Sequence, residues 1–566
     1  VSELITFATN NHGVNPSKNF IEHIIDEDLT QGLSKESLRF RFPPEPNGFL
    51  HIGHVKAICI NFGLGQSYKA PVNLRFDDTN PAAEEQLYVD AIKKDILWLG
   101  FSWDKECYAS DYFQTLYDWA VDLINSGKAY VDSQTSEEIA KQKGTPNQAG
   151  EHSPYRTRST EENLLLFTEM KDGKHEEGSH VLRFKGDMSS PNMLLRDPVM
   201  YRILFKTHHR TGDQWCIYPM YDWTHGQSDY IEKVSHSLCS LEFKPHRDLY
   251  EAFLTEIHTT GIVPKQREFA RMNLNYTVTS KRKLMQLVQG KTVSGWDDPR
   301  MPTISGLRRR GYTAASLKNF IQAVGVAKRE NLIDASLLEF CIREDLNKIA
   351  PRIMAVLNPL RVVITNYPDG QEEWLTAENN PEDPAAGSRE LPFSKTILIE
   401  QEDFREEANR KFFRLKIGKE VRLKNAYIIK AESVEKDNEG KIKTVFCTYD
   451  PLSKSGSRTK ENQRKVKGTL HWVSEKHARQ IYVRNYDRLF SDPNPDSHKD
   501  ADFKSFLNEN SLTEQQAFVE PIIGEPVPGK SYQFQRQGYY VVDPDSTETN
   551  IIFNLTVGLR DNWSKK

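Results

Sequence analysis

With 566 residues the chain can hold several hydrophobic cores, roughly three to five at about 100–200 residues each, and its 38% hydrophobic and 27% charged residues suit a globular protein in water. A formal net charge of −4 excludes a globally basic nucleic-acid binder, so any anionic partner has to be met by local patches. No stretch approaches the ~18 unbroken apolar residues of a membrane span, the first residues lack a secretory pattern, and six scattered cysteines without a C-x-x-C argue against a disulfide framework or a thiolate zinc site. The expectation is a cytoplasmic protein without membrane attachment and without a protein-held metal.

Taken in chain order, "SLRFRF" (37–42) reads as a strand, "RFPPEPNGFLHIGH" (41–54) as a rigid turn, and "VKAICINFGLGQSY" (55–68) as a helix. "VNLRFDD" (72–78) reads as a second strand, and residues 82–100 and 111–132 each show helical spacing followed by a C-capping glycine. Such alternation predicts a parallel sheet with helices on its faces. Residues 137–215 break the pattern and read as an insertion, "QWCIYPMYDWTHGQSDY" (214–230) as a return to the sheet, and 297–348 as mostly helical. Residues 350–566 read as all-β, probable hairpins such as that at "DNEG" (437–440) implying barrels, with 454–468 as a mobile loop.

The chemistry concentrates at 41–54. A strand, a tight turn and a helix start form a natural phosphate cradle, because free helical N–H groups point at the ligand. The usual Gly-x-Gly-x-x-Gly is absent, and Pro43, Pro44, Glu45, Pro46, Asn47 and Gly48 precede His51-Ile52-Gly53-His54. Two histidines three apart share a helix face, Gly53 leaves room for a flat base, and imidazole N–H groups can stabilise charge that grows during phosphoryl transfer. The plain alternative is two satisfied histidines at a helix start, the commoner reading of an isolated H-x-x-H.

The segment resembles the HIGH signature of the class I aminoacyl-tRNA synthetases, and "PPEPNG" resembles its glutaminyl/glutamyl branch. A second, K-M-S-K-S-like signature is met by "VTSKRK" (278–283), which keeps Ser280 and Lys281. "LRFDDTNP", "CIYPMYDWTH", "SHSLCSLEF", "WDDPRMPTISGLRRRGYT", "CIREDLN", "GKEVRLKNAYIIKAE" and "TVGLRD" also resemble that branch, over about residues 19–563, with the bacterial glutaminyl type most similar.

The resemblance implies an α/β plus all-β multidomain protein: a Rossmann-like catalytic domain with an inserted acceptor-binding domain, a helical subdomain and two C-terminal β-barrels. The implied boundaries are 19–110 and 216–272 for the two catalytic halves, 111–215 for the acceptor-stem insertion and 273–349 for the helical subdomain with the KMSKS-like loop. The proximal barrel would take 350–402 and 480–566, and the distal, anticodon-binding barrel 403–479. The implied reaction activates L-glutamine with ATP, accompanied by Mg²⁺, and passes it to the terminal ribose of tRNA(Gln), on a monomer.

In that reading His51, His54, Ser280 and Lys281 are catalytic. ATP would meet Glu45, Pro46, Asn47, Ile52, Gly53, Val55, Lys56, Ala57, Ser240, Arg271, Met272 and Thr279 besides. Glutamine would meet Arg41 through its carboxylate, Asp77 through its ammonium and Tyr221 through its amide, with His225, Cys239, Gln266, Glu45 and Glu84 nearby. In the glutamyl branch an arginine typically stands where Cys239 does, which favours glutamine here. Arg352, Arg414, Arg422, Gln533 and Arg536 match anticodon-contacting places, within or beside a stretch (403–430) that holds nine Lys/Arg against four acids. Phe413, Lys424 and Pro245 depart from the familiar pattern, and "RRR" (308–310) reads either as a tRNA-backbone contact or as a solvated face. The competing expectations are a glutamyl-tRNA synthetase of the same architecture, a synthetase-like protein that binds tRNA without catalysis, and a small-molecule nucleotidyltransferase, for which residues 350–566 would be surplus.

Overall fold

Strands Phe40–Phe42 and Val72–Phe76 are buried at every position, as expected where a parallel sheet is covered on both faces. They pair in parallel, Phe40 opposite Val72, and Val72–Phe76 pairs in parallel with Glu106–Tyr108. Parallel neighbours need a crossover, and helices Ile52–Tyr68 and Gln86–Trp98 supply it. The computed structural model describes residues 18–561 apart from 83, 84, 258, 259, 410, 522, 523 and 525. The chain divides into two compact units: Val1–Gly48, Lys56–Met272 and Gln322–Asn331, and Phe49–Val55, Asn273–Ile321 and Leu332–Lys566. Among the described residues no helix is long and apolar enough to cross a membrane.

In the first unit an inserted four-stranded antiparallel sheet runs Ala129–Asp132, Val181–Phe184, Val199–Ile203, Ile217–Pro219. Its core includes Phe113, Phe167, Trp215 and Trp223. Strand Ile217–Pro219 therefore closes the insertion; the expected return to the main sheet begins only afterwards. Helix Tyr221–Ile231 leads to strand His236–Ser240, which pairs in parallel with Lys265–Phe269, and the Ser235 amide donates to Arg39 O at 3.0 Å beside the first strand.

The second unit carries helices Lys281–Gln289, Ile304–Arg309 and Ala335–Ile349 and two seven-stranded sheets. One sheet gathers Arg352–Ile353, Ala355–Val356, Arg479–Tyr486, Leu512–Val519, Ser531–Phe534, Gly538–Val542 and Ile552–Gly558. The other gathers Pro359–Ile364, Thr396–Glu400, Glu420–Leu423, Ile428–Lys436, Ile442–Asp450, Thr469–Leu470 and Val473–Ser474. The sheets thus change over between 356 and 359: Pro359–Ile364 and Thr396–Glu400 pair in the sheet of 420–474, where the expectation grouped 350–402 with 480–566, while Glu373–Glu378 and Ser388–Phe393 pair with each other. The cause is long-range pairing: Arg361 stands opposite Thr444. The stretch 454–468, expected as a mobile loop, contains a helical turn, Lys460–Gln463, and Asn462 accepts from Arg422 at 2.9 Å.

Two arginines of the "RRR" segment make internal contacts. Arg309 donates to both oxygens of Asp543 at 3.0 Å and also pairs with Asp297 and Asp545; Arg310 donates to Tyr486 O at 3.0 Å. Gly311 follows at φ +97°, and a Cβ there would lie 2.9 Å from Val541 and closer still to Thr556 Oγ1. Glycine is needed for both its backbone angle and its lack of volume. Gly311→Ala is expected to destabilise the second unit by about 2–4 kcal/mol, combining overpacking with left-handed strain. Urea denaturation followed by tryptophan fluorescence measures this, and an unchanged midpoint would contradict it.

Candidate functional site

In the first unit the polar centre is Asp229. Tyr221, His225 and Asp229 are four residues apart and so share one face of helix Tyr221–Ile231. Asp229 is fully buried and accepts from Arg41 Nε at 3.0 Å, Arg75 Nη1 at 2.7 Å and Tyr250 Oη at 2.9 Å. Burial alone would raise its pKa, but Arg41, then Arg75, then His225 hold the carboxyl far below the usual carboxylate range. Arg41, also fully buried, spends its remaining donors on Leu238 O at 2.7 Å, His225 Nε2 at 2.8 Å and Ser237 Oγ. Arg41, expected to hold the substrate carboxylate, is thus also tied to Asp229, His225 and the strand that carries Leu238.

His225 lies between two guanidinium groups, Arg41 Nη2 at 2.8 Å from Nε2 and Arg75 Nη2 at 3.1 Å from Nδ1. A neutral imidazole can accept at one nitrogen only. The shorter contact assigns acceptance to Nε2, so Nδ1 carries the proton and faces Asp77 Oδ2 at 3.3 Å. Burial also pushes the His225 pKa down, keeping the ring neutral. Asp77 is then held at one oxygen and by its own amide, which donates to Pro44 O at 3.1 Å. Its other oxygen, Oδ1, is buried without a hydrogen-bond partner, and a buried carboxylate oxygen in that state is a strong acceptor for a ligand's cation.

Tyr221 stacks on His225 with ring centroids 4.8 Å apart, and burial, with Asp77 second, keeps its phenol protonated. Cys239 stands opposite Glu268 on the neighbouring strand, and burial pushes its thiol up to about 12, so it is neutral. Gln266 donates its amide to Phe243 O and to Glu268 Oε1, both at 3.0 Å. Ser240 donates to Glu242 at 2.6 Å. Arg271 is braced by Glu330 and Glu242, and Lys56 is buried with its ammonium on Ala270 O at 2.7 Å, one residue before Arg271. Glu84 lies outside the described residues.

In the second unit the histidine turn is fixed by backbone groups. The His51 amide donates to His54 Nδ1 at 3.1 Å, and the Gly53 amide donates to His51 Nδ1 at 3.1 Å. Both Nδ1 atoms accept, so both rings carry their proton on Nε2 and present it as a donor. The His51 ring folds over Gly53, where a Cβ would come within 2.8 Å of it. The turn rests on the 296–304 stretch, with Ile52 N donating to Pro302 O, Ile304 N to Leu50 O, and Phe49 packed on Trp296. Burial, and secondarily His54, push the His51 pKa well below its ordinary value. Ser280 is the N-cap and Lys281 the first residue of helix Lys281–Gln289, behind the buried Val278, so this signature straddles a loop and a helix start.

The basic stretch forms a cavity of about 440 Å³ lined by Arg405, Lys411, Phe412, Phe413, Arg414 and Arg536 among others. Arg410 lies outside the described residues. Arg352 and Gln533 are opposite one another on paired strands, with Arg352 held by Asn347 and Asn380 and Gln533 by Tyr539. Arg422 stands apart, donating to Ser453 O and to Asn462.

Asp229, Arg75, Glu268 and Asp403 were missed by sequence reasoning. A signal for the first exists in the Tyr-x3-His-x3-Asp spacing of 221–229; the others make their contacts across long separations. Among the described residues one His/Asp group is spaced for an ion, Asp78, His208 and His209. His208 Nδ1 accepts from the Arg210 and Thr211 amides while Nε2 faces Asp78 O at 2.9 Å. Its proton is therefore on Nε2, the wrong arrangement for a metal-bound histidine, whose second nitrogen normally donates.

Residues 37–348 match the family model described as tRNA synthetases class I (E and Q), catalytic domain. Residues 350–450 and 469–543 match two models described as tRNA synthetases class I (E and Q), anti-codon binding domain. A protein of Rhodopirellula baltica named glutamine–tRNA ligase is 56% identical over 552 residues, which cover 97% of this chain and 91% of that one. Proteins of the same name from Proteus mirabilis and Vibrio vulnificus are each 56% identical over 548 and 549 residues, covering 97% of this chain and 98% of theirs.

With burial holding its pKa well below the ordinary value, the His51 ring is expected to stay neutral and to donate through Nε2–H from about pH 8 to about pH 6.5, the ordinary imidazole value. Imidazole nitrogen chemical shifts measured by NMR across that range check this, and an imidazolium signal that grows in with a midpoint near the ordinary value would contradict it.

Proposed function

We infer the residue roles from one premise: this chain belongs to the class I (E and Q) tRNA synthetases, among the glutamine–tRNA ligases. It joins L-glutamine to tRNA at the expense of ATP. A carboxylate oxygen of glutamine attacks the α-phosphorus of ATP, the bond to the β-phosphate oxygen breaks, and pyrophosphate leaves. A hydroxyl of the terminal tRNA ribose then attacks the acyl carbon and AMP leaves. The observation that carries this function is 56% identity to glutamine–tRNA ligases over nearly the full length of both chains.

Asp77 Oδ1 receives the ammonium of glutamine, aimed by the Nδ1–H of His225. Tyr221 meets the side-chain amide, with Gln266 and the neutral Cys239 beside it. A glutamate carboxylate would need a cation here, because burying an unpaired charge is expensive; Arg41 and Arg75 are already committed to Asp229. The Nε2–H donors of His51 and His54 meet the α-phosphate as its charge grows. Lys281, with Ser280 and Thr279, neutralises the departing pyrophosphate. Glu45, Pro46, Asn47, Ile52, Gly53, Val55, Ala57, Ser240, Arg271 and Met272 shape the nucleotide's surroundings, and Lys56 supports them from behind through Ala270. Arg352, Arg414, Arg422, Gln533 and Arg536 read the anticodon of tRNA(Gln).

Mg²⁺ accompanies the reaction on the ATP phosphates, where its charge offsets theirs. The ion-spaced group Asp78, His208 and His209 is imidazole-rich and does not suit a hard cation that prefers oxygen ligands. The protein acts as a cytoplasmic monomer; the insertion from 111, carried on to Pro219 by its last strand, is its acceptor-stem part, and 273–349 is its helical part.

Charging of total tRNA with labelled glutamine and glutamate tests the function: glutamine should be incorporated, and preferential glutamate incorporation would overturn the reading. Lys281→Ala should lower kcat for adenylate formation about a hundredfold, or about 3 kcal/mol, with little change in KM for ATP, because its charge acts as pyrophosphate leaves. Single-turnover activation in the presence of tRNA measures it, and a parental rate would remove Lys281 from the chemistry.

A further inference from the structure

Beneath the cation-lined cavity of the second unit lies a buried carboxylate, Asp403. Asp403, with its side chain 1% exposed, accepts from Arg536 through both terminal nitrogens, at 2.5 and 2.8 Å, and forms an ion pair with Arg414 Nε at 3.3 Å. The two guanidinium groups are 32% and 43% exposed, so the carboxylate is hidden while its partners reach the cavity. Arg414 is also held by Glu402 O at 3.1 Å, and Arg536 Nη1 faces His471 Nδ1 at 3.1 Å. Arg536 has φ +70°, a backbone conformation that side chains other than glycine rarely adopt. Strain of this kind persists where surrounding contacts over-determine it and is concentrated at functional sites. Arg405 over Phe412 and Lys467 over Phe413, each at 5.0 Å, add aromatic faces to the same rim.

An unpinned arginine attracts any phosphate, whereas a guanidinium with a fixed plane matches one hydrogen-bond pattern. We propose that Asp403 is a positioning residue for anticodon selection, sacrificing general attraction for tRNA by placing a negative charge under the cavity and gaining selectivity by fixing the planes of Arg414 and Arg536. This rests on the reading of the C-terminal half as the anticodon-binding part. A base bound in the cavity would stack on the phenylalanine faces and receive its edge contacts from arginines that Asp403 has aimed.

The test is equilibrium binding of two tRNA transcripts, glutamine-specific and anticodon-altered, to the full chain carrying Asp403→Asn. The specific transcript should bind roughly tenfold more weakly, as when one base-edge contact is misplaced. The altered transcript should bind as well as or better than it does to the parent, because a repelling charge is gone. The ratio of the two therefore falls while the denaturation midpoint stays near the parent's. An unchanged ratio, or equal weakening of both transcripts, overturns the proposal. If Asp403→Asn does not fold, Asp403→Glu, which keeps the charge but moves it by one methylene, is expected to weaken the specific transcript and to leave the altered one at the parent's affinity, so that the ratio again falls and the same refutation applies. Arg414→Ala separates the two levels. If it leaves the ratio intact, the anticodon reading of this cavity fails; if it lowers the ratio and the Asp403 variants do not, only the positioning role fails.

Discussion

Two guanidinium groups with no exposure to water, Arg41 and Arg75, share one carboxylate, Asp229. Removing such charges from water costs several kcal/mol each, recovered only by close and complete pairing. Asp229 comes from helix Tyr221–Ile231, and the two arginines come from neighbouring parallel strands. Sliding the helix by one turn would strand three charges, so the pairing fixes its register on the sheet. Tyr221 and His225, on the same helix face, inherit that register. His225 in turn orients Asp77, the residue with an unused buried oxygen. The pocket proposed for the amino acid is thus braced by groups already bound to one another.

The histidine turn follows the same logic with backbone groups in place of charges. Amide donors occupy Nδ1 of both rings, which leaves Nε2–H as the group each ring can offer. Preorganised neutral donors of this kind need no reorganisation as charge develops on phosphate. The C-terminal cavity again places a fixed counter-group, Asp403, behind the cations that face outward.

Local grammar made part of this legible. The H-x-x-H turn, the strand–helix alternation of the first hundred residues and the all-β second half follow from residue order over short spans. What the sequence hid depends on pairing over long separations. Nothing within 41–54 shows that Asp229, 188 residues away, also holds Arg41. Strand Ile217–Pro219 looks like any strand, and only its partner Val199–Ile203 places it in the insertion. Arg309 looks like surface charge until Asp543, 234 residues on, is seen against it.

The central claim is that Asp229 sets the geometry of the glutamine pocket through Arg41, His225 and Asp77. Its carboxyl is ionised at every ordinary pH, with full effect above the unfolded value near 3.9 and loss only as pH falls through its much lower folded value. The most direct measurement is therefore a substitution, Asp229→Asn, assayed for KM toward glutamine and toward ATP and for unfolding by urea. The account predicts a glutamine KM raised at least about tenfold, an ATP KM close to the parent's, and a loss of about 3–5 kcal/mol from the buried arginines left short of charge. A variant with the parent's glutamine KM and the parent's unfolding midpoint would contradict it.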